Sequence, residues 1–173
     1  MAAPLRAKAP AKATAASQPA RGSSKTRPTV VYFREYKRAS LKRRAEIERA
    51  GIPYEVVEDL GERLGVSAGD FQSYLGVPKA TYSKKKRNNE PFTGAVGHAA
   101  LGLLELAAMV RGVLAVAGTG DAKEFDVEAW LGEWLQKPQP ALDGSTPGEL
   151  IDTPSGRAEV KRLLGAAFSG AAV

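Results

Sequence analysis

Ser67-Ala-Gly-Asp-Phe-Gln-Ser-Tyr-Leu-Gly-Val-Pro-Lys-Ala-Thr-Tyr-Ser-Lys-Lys-Lys-Arg87 is the stretch of sequence that decides the fold. It predicts two short helices joined by a tight turn. Ser67 and Asp70 have the spacing of a capping box at the start of the first helix. Phe71 and Leu75 lie four residues apart, so they share the face that the helix buries. The stretch therefore predicts an amphipathic helix that ends near Leu75.

The turn and the second helix follow from the next residues. Gly76 provides the positive φ that a helix end needs, and Val77 fills the corner behind it. Pro78 fits the first position of the next helix, where a missing N–H costs nothing. That helix buries Tyr82 and is otherwise basic. A helix–turn–helix places such a second helix in the major groove of DNA.

The second helix supplies the candidate DNA-binding residues. Lys and Arg donate to guanine O6 and N7 in the major groove, whereas other basic and hydroxyl side chains bind phosphates. Two positions depart from the usual pattern: Gln72 replaces a small residue, and Lys85 replaces an apolar core residue. A solvated basic helix is the alternative. We expect base contacts from Lys79, Ala80, Ser83, Lys84 and Arg87, and phosphate contacts from Thr81, Lys85 and Lys86.

The composition favours an all-α fold. Helix formers dominate the 173 residues, and alternating Val/Ile/Thr runs are almost absent. The chain has no Cys, which excludes a disulfide framework and fits a cytoplasmic protein. His98 is the single histidine, so a metal site or a Ser-His-Asp triad is not expected, and we expect His98 to cap or enter the core.

The charge is unevenly distributed along the chain. Residues 1–28 have six Lys/Arg and no acid, residues 29–90 have a net charge of +4, and residues 91–173 have a net charge of −4. The N-terminal half is therefore suited to polyanions such as DNA, and the C-terminal half to a protein partner. Chance combined with solubility is the alternative explanation.

Residues 1–28 predict a disordered basic tail. They consist mainly of Ala, Pro, Ser, Lys and Arg, which cannot bury enough apolar surface to offset the entropy of ordering. The segment lacks the apolar core of a secretory signal, and no Arg-rich amphipathic helix of a transit peptide is evident. It either contacts phosphates without sequence preference or is simply solvated.

Three helices are expected around the helix–turn–helix. One runs from Tyr32 to Ala50, with Leu41 among its apolar points. A second runs from Pro53 to Leu64 and buries an apolar stripe at helical spacing. A third runs from Thr93 to Ala117 and is apolar on nearly all sides, which indicates a core helix or a homodimer interface. A membrane span is opposed by the charges of Glu105 and Arg111.

The C-terminal third predicts three further helices. After a linker at residues 118–121, Asp126 caps a helix with Val127, Trp130, Leu131, Trp134 and Leu135 at helical spacing. Thr146-Pro-Gly-Glu149 is a capping box that opens a short helix, and Thr153-Pro154 opens the last one. The last helix is expected to bury Val160, Leu163, Leu164, Ala167 and Phe168.

No catalytic constellation is evident in the sequence. The carboxylates of Glu124, Asp126, Glu128 and Glu133 are expected on a solvated helix face rather than in an acid–base pair. Residues 144–146 lack the strand and the Lys of a phosphate loop. We therefore expect a protein that is not an enzyme and binds no cofactor or metal.

The C-terminal third resembles a known family. Trp134-Leu-Gln-Lys-Pro-Gln-Pro-Ala-Leu-Asp-Gly-Ser-Thr-Pro-Gly-Glu-Leu-Ile-Asp-Thr-Pro-Ser-Gly-Arg-Ala-Glu-Val160 is similar to the toxin-binding domain of the Xre/MbcA/ParS-type antitoxins, in which the same spaced motifs occur in this order. The resemblance extends upstream through Gly51-Ile-Pro53 and Thr81-Tyr-Ser-Lys-Lys-Lys86 and covers about residues 50–173.

The resemblance implies an antitoxin of a type II toxin–antitoxin system. Such proteins neutralise a cognate toxin, commonly of the NAD-depleting RES type, and repress their own operon through the helix–turn–helix. A homodimer is expected because recognition helices usually work in pairs on two half-sites. It further implies that the toxin contacts Trp134, Val160, Leu164, Phe168 and Val173. Gly97-His-Ala-Ala-Leu-Gly-Leu103 departs from the family, which usually has a Ser-x-Arg-Leu-x-Arg-like pattern at this point.

The sequence thus predicts three regions. Residues 1–28 form the tail, residues 29–117 the helical DNA-binding and dimerisation region, and residues 118–173 the small helical toxin-binding domain. The alternative function is a stand-alone helix–turn–helix transcriptional regulator without a toxin partner.

Overall fold

The computed structural model describes residues 27–117 and 125–169, and their regular structure is helical apart from one isolated bridge. The predicted all-α fold is confirmed. The predictions for the tail up to residue 26, for the 118–121 linker, for Glu124 and for Val173 lie outside the described residues. The helices are α1 Pro28–Arg38, α2 Leu41–Ala50, α3 Tyr54–Leu64, α4 Ala68–Tyr74, α5 Lys79–Asn88, α6 Gly94–Ala117, α7 Val127–Leu135, α8 Pro147–Leu150 and α9 Pro154–Ser169.

The expected single helix from Tyr32 to Ala50 is wrong. The chain forms α1 and α2 instead, because Ala39 and Ser40 are extended and the Ser40 side chain accepts a hydrogen bond from the N–H of Arg43, which starts a new helix. Leu41, expected among the apolar points, is 84% exposed. The first helix also begins earlier than expected, with Pro28 at its first position.

α3 forms the centre of the fold, as its apolar stripe predicts. Val56, Val57, Leu60 and Leu64 are all buried. α1 and α7 both pack on α3. The hydroxyl of Thr29 in α1 donates to the carbonyl oxygen of Val56 at 3.2 Å. The N-terminal and C-terminal helices therefore share one hydrophobic core.

The turn between α4 and α5 follows the sequence closely. The hydroxyl oxygen of Ser67 accepts from the N–H of Asp70 at 3.1 Å, and Gly76 has a φ of 62°. The N–H of Val77 donates to the carbonyl oxygen of Gln72, and that of Gly76 to Ser73, which together form a Schellman motif.

Two details of this turn differ from prediction. Pro78 precedes α5 as its N-cap rather than occupying its first position, because its backbone is extended (ψ 142°). Tyr82 is half-buried rather than fully buried, since its ring lies over the edge of the core between α3 and α4.

A short backbone bridge closes the N-terminal half. The N–H groups of Ile52 and Phe92 donate to each other's carbonyl oxygens at 2.8 Å. Gly51 permits this approach, since a side chain there would lie 2.7 Å from the carbonyl oxygen of Phe92, and its φ is 89°. The bridge ties the end of α2 to the segment that follows α5.

α6 crosses the molecule and contacts α2, α7 and α9. By length and composition alone, residues 94–116 could cross a membrane. Leu103, Leu106 and Val110 are nevertheless buried against the neighbouring helices, as in the core of a globular protein. Near its end, Gly112, Ala115 and Val116 are exposed, and Val113 and Leu114 are half-buried.

The C-terminal helices begin at the predicted caps. Asp126 accepts from the N–H of Ala129 at 3.0 Å, and Thr146 and Glu149 form the complete capping box. Thr153 accepts from the N–H of Gly156 at 3.1 Å and starts α9. The expected burial of Ala167 is wrong, because this residue lies on the exposed side of α9.

Candidate nucleic-acid interface and partner surface

α5 presents most of the predicted DNA-binding residues to solvent. None of its ten residues is buried. Its single large apolar side chain, Tyr82, packs against Phe92 with the ring centroids 5.3 Å apart and also meets Phe71 at 6.5 Å. The remaining faces are free to contact a partner. The exposed residues of the predicted set are Lys79, Ala80, Thr81, Ser83, Lys84, Lys86 and Arg87.

Lys85 and Lys86 are tied to the body of the protein. Lys85 donates from Nζ to the carbonyl oxygen of Pro91 at 2.7 Å and lies over the ring of Phe92. Lys86 donates from Nζ to a carboxylate oxygen of Glu58 at 2.6 Å. These two lysines therefore position α5, and their ammonium groups are already partly neutralised. An apolar residue is common at this position of a helix–turn–helix, and Lys85 takes that role by packing its alkyl chain against Phe92.

The polar contacts of Lys86 change the pKa values of its neighbours. The hydrogen bond from Lys86 is the main cause that lowers the pKa of Glu58, and the Tyr54 hydroxyl adds to it. The same pairing raises the pKa of Lys86. Burial, together with the nearby carboxylate of Glu58, raises the pKa of Tyr54 to about 12. All three groups keep their usual charge states at neutral pH, and the ammonium–carboxylate pair links α5 to α3.

An aromatic surface lies on the C-terminal helices. Trp130 and Trp134 of α7 are stacked with their ring centroids 6.4 Å apart, and Phe168 of α9 lies 5.9 Å from Trp130. Phe125, which is 41% exposed, also packs against Trp130, with the ring centroids 6.3 Å apart. Both tryptophans and Phe168 are half-buried. Large aromatic side chains of this kind dominate protein–protein interfaces. We call Phe125, Trp130, Trp134 and Phe168 the aromatic surface.

The other predicted toxin contacts are placed differently. Val160 and Leu164 are both 0% exposed, because they face the core from α9. Their side chains hold α9 in place and do not reach a partner in this conformation. Of the predicted set, Trp134 and Phe168 are accessible. Trp130 and Phe125 were not predicted as part of this surface. The four-residue spacing of Trp130 and Trp134 could have indicated Trp130, whereas Phe125 precedes α7 and gave no such signal.

A second apolar face lies at the end of α6. Met109, Gly112, Val113 and Val116 line an open depression of about 510 Å³ that has almost no polar lining. Val116 is 89% exposed. We call these four residues the α6 face. An exposed apolar patch of this kind is typical of a protein–protein contact.

A buried ion cluster joins the two halves of the molecule. Glu128 of α7 is only 3% exposed, and its carboxylate accepts from Arg63 of α3 at 2.5 Å and from Arg111 of α6. Burial lowers the pKa of both guanidinium groups. The buried carboxylate neutralises two cations on helices from both halves of the chain. Removal of one partner leaves buried charge uncompensated.

The expectation that Glu128 is solvated is therefore wrong. The buried side of α7 consists of Glu128, Leu131, Gly132 and Leu135, and the tryptophans lie at its edge. Gly132 explains why α7 buries this side, since a side chain at position 132 would lie 1.8 Å from the carbonyl oxygen of Leu64. A glycine inside an amphipathic helix was the available signal of a close approach between helices.

His98 is also placed differently from the expectation. Its side chain is 49% exposed, and Nε2 lies 3.9 Å from a carboxylate oxygen of Glu48. It neither caps a helix nor enters the core. The imidazole lies at the rim of a cleft between α2, α6 and α9.

The fold and these surfaces define a helical protein that combines a helix–turn–helix with a separate apolar contact surface. Residues 43–105 match the antitoxin Xre-like helix-turn-helix domain, and residues 114–170 match the antitoxin Xre/MbcA/ParS C-terminal toxin-binding domain. The Prs ADP-ribosylating antitoxin of Sphingobium sp. (strain YBL2) is 32% identical over 146 residues, an alignment that covers 76% of this chain and 85% of that protein.

The chain therefore belongs to the Xre/MbcA/ParS antitoxin family. The family resemblance, the helix–turn–helix and the antitoxin class predicted from the sequence are confirmed. The toxin-binding domain implies a cognate toxin as partner, and the helix–turn–helix implies DNA.

Proposed function

We propose that this antitoxin neutralises a cognate RES-type, NAD-depleting toxin and represses its own operon through α5. The principal support is the separation of two chemically different surfaces, the cationic α5 and the aromatic surface of the C-terminal helices. The relative's name supports a toxin that uses NAD, because an ADP-ribosyl group is the part of NAD that remains when nicotinamide leaves.

On the DNA side, α5 enters the major groove. Lys79, Ser83, Lys84 and Arg87 are exposed and can contact base edges, while Thr81 binds a phosphate. Lys85 and Lys86 hold α5 against Pro91 and Glu58, so their role in DNA binding is mainly positional.

On the toxin side, Trp134 and Phe168 provide the contact predicted from the sequence, and Trp130 extends it. Val173, which the sequence resemblance also assigns to the toxin contact, completes the proposed set. Val160 and Leu164 contribute by fixing α9.

A second copy of the chain binds the α6 face. An operator with two half-sites requires a dimer, and the apolar lining of the α6 face suits a contact between identical apolar surfaces. Replacement of Val116 by Asp tests this assignment: we expect a monomer by light scattering, whereas a dimer that persists would contradict the role of the α6 face.

The three regions then have distinct tasks. Residues 29–117 bind DNA and dimerise, residues 118–173 bind the toxin, and residues 1–28 are a basic tail. The protein acts in the cytoplasm, where both its DNA and its toxin are found. It has no catalytic activity of its own and needs no cofactor.

Co-production with the product of the neighbouring RES-type gene tests the proposal. We expect the antitoxin to restore growth and intracellular NAD, and to co-purify with the toxin. Continued growth inhibition despite production of both proteins would contradict toxin neutralisation. If the purified protein binds its own upstream DNA but no such toxin, the stand-alone regulator is correct instead.

A further inference from the structure

Four exposed cations lie together where α1 ends and α2 begins. Lys37 and Arg38 belong to the last turn of α1, and Lys42 and Arg43 to the first turn of α2. We call these four residues the basic corner. Among the described residues, Arg43 is the one member that forms an ion pair, with Glu46 one turn further along α2. The matched helix-turn-helix domain begins at residue 43, so most of the basic corner lies outside both family domains.

The basic corner has a fixed geometry. The guanidinium of Arg44 donates to the carbonyl oxygens of Tyr36 at 3.1 Å and Lys37 at 2.5 Å, which fastens the start of α2 to the end of α1. Tyr36 is 7% exposed, and its hydroxyl donates to a carboxylate oxygen of Glu48 at 2.6 Å. Because Arg44 makes these contacts, the two helix ends that carry the basic corner are held next to each other.

Lys37 and Arg38 lie favourably at the C-terminal end of α1, whereas Lys42 and Arg43 are placed unfavourably in the free protein. The first turn of α2 contains no acid, and its cations lie at the positive end of the helix dipole. Helices usually have acidic residues there, because like charges at this end cost free energy. Local sequence choices that oppose the fold are expected at functional sites. A bound polyanion would relieve the repulsion among these cations.

We propose that the basic corner is a second DNA-binding surface, which binds the sugar–phosphate backbone beside the groove that α5 enters. The proposal rests on the DNA binding proposed for α5. α2 is about 15 Å long, and the basic corner lies at its start. At its other end, Gly51 lies against the carbonyl oxygen of Phe92, and Phe92 follows the last residue of α5 by four positions. The basic corner therefore lies within about one turn of duplex, ~34 Å, from the end of α5.

DNA suits the basic corner better than a membrane surface does. A helix that binds a membrane needs a continuous apolar face beside its cations. The exposed part of α2 offers Leu41 alone, and its other exposed residues are charged or small. Phosphate contacts need no apolar face and depend on charge alone.

The test compares the wild-type chain with the triple variant Lys37→Ala, Arg38→Ala and Lys42→Ala. The control, Lys137→Ala with Lys161→Ala and Arg162→Ala, removes the same formal charge from the C-terminal part of the chain. Each variant is titrated with the protein's own upstream DNA and with a random-sequence duplex of equal length, at 50 and 200 mM salt. Circular dichroism verifies that both variants keep the helical fold.

One phosphate contact weakens DNA affinity by about 3.5-fold when the salt concentration rises from 50 to 200 mM. We therefore expect the triple variant to bind both duplexes more weakly. The ratio of its affinity at 50 mM salt to its affinity at 200 mM salt should be about 40-fold smaller than that of the wild type. The control should bind like the wild type. Equal affinity and equal salt dependence in the triple variant and the wild type would overturn the proposal.

Two further outcomes separate the proposals. If the triple variant instead loses binding to anionic phospholipid vesicles while its DNA affinity is unchanged, the basic corner is a membrane surface and the inference is wrong. If the basic corner variant weakens DNA binding but Ser83→Ala with Arg87→Ala does not, the basic corner stands and the proposed role of α5 fails.

Discussion

α5 and α7 are helices of ten and nine residues that use their side chains in opposite ways. α5 buries none of its residues and is held by the ring of Tyr82 and by the ammonium groups of Lys85 and Lys86. α7 buries five residues, among them a carboxylate and a glycine that touches another helix backbone.

The difference shows how one small chain can provide two binding functions. A helix attached at its edge keeps most of its side chains exposed, so substitutions on it should change the proposed DNA affinity more than the stability. A helix embedded in the core leaves only its edge for a partner. In α7 that edge is the stacked pair Trp130 and Trp134.

The largest expected effect is on α7. Glu128→Ala leaves Arg63 and Arg111 without their shared carboxylate, and we expect the free energy of unfolding to fall by about 3 kcal/mol, the lower end for a broken buried pair because Arg111 is partly exposed. Chemical denaturation measures this. Glu133→Ala, at a side chain that is 72% exposed, is the control and should change the free energy by less than about 0.5 kcal/mol. Equal effects would contradict the role of the cluster.

The next effect is on α5 and concerns binding. We expect Ser83→Ala, Lys84→Ala and Arg87→Ala together to weaken operator binding by about 100-fold, since these exposed residues are the ones proposed to contact base edges. Electrophoretic mobility shift at constant salt measures the affinity. The free energy of unfolding should change little, because none of the three side chains is buried. A loss of stability without a loss of DNA affinity would reverse the assignment.

Gly132→Ala tests the close contact between α7 and α3. The added methyl group would overlap the carbonyl oxygen of Leu64, so we expect destabilisation by about 2 kcal/mol. Thermal and chemical denaturation provide the measurement. Gly165→Ala in α9 meets only Met109 at an ordinary 3.7 Å and should stabilise the protein by about 0.5–1 kcal/mol. If Gly132→Ala also stabilises, the helices are not in contact at this point.

The smallest expected effect is a pH dependence at the attachment of α5. The folded protein has a lowered pKa for Glu58, mainly because Lys86 donates to its carboxylate. Its contribution is therefore present above the unfolded pKa and is lost as the pH falls through the lower, folded pKa. We expect Glu58→Gln to lower the free energy of unfolding at neutral pH. In the variant, this free energy should also fall less steeply as the pH is lowered. If the free energy of unfolding falls equally in acid for the variant and the wild type, the pair of Glu58 and Lys86 makes no contribution.

Local signals explain what could be predicted. The caps at Ser67, Asp126 and Thr146, and the positive φ of Gly76, depend only on neighbouring residues, so the helix–turn–helix and the C-terminal helices were predictable. The apolar stripe of α3 has the period of a helix, so its burial was predictable as well.

Contacts between distant segments explain what could not be predicted. Glu128 is buried because Arg63 and Arg111, far away in the sequence, surround its carboxylate. The burial of Val160 and Leu164 was predictable from their helical spacing, but no local pattern showed that they face α6 and the core rather than a toxin. The break at Ser40 was missed because it contains neither Gly nor Pro.

The most direct test of two separate surfaces measures toxin and operator affinities in the same pair of variants. One variant is the triple alanine variant of Ser83, Lys84 and Arg87. The other combines Trp134→Ala with Phe168→Ala, at half-buried positions, after its helical content has been verified. Isothermal titration with the purified toxin and with operator DNA should show that each variant loses one affinity and keeps the other. If the α5 variant also loses about tenfold or more in toxin affinity, the two functions share a surface and the account is wrong.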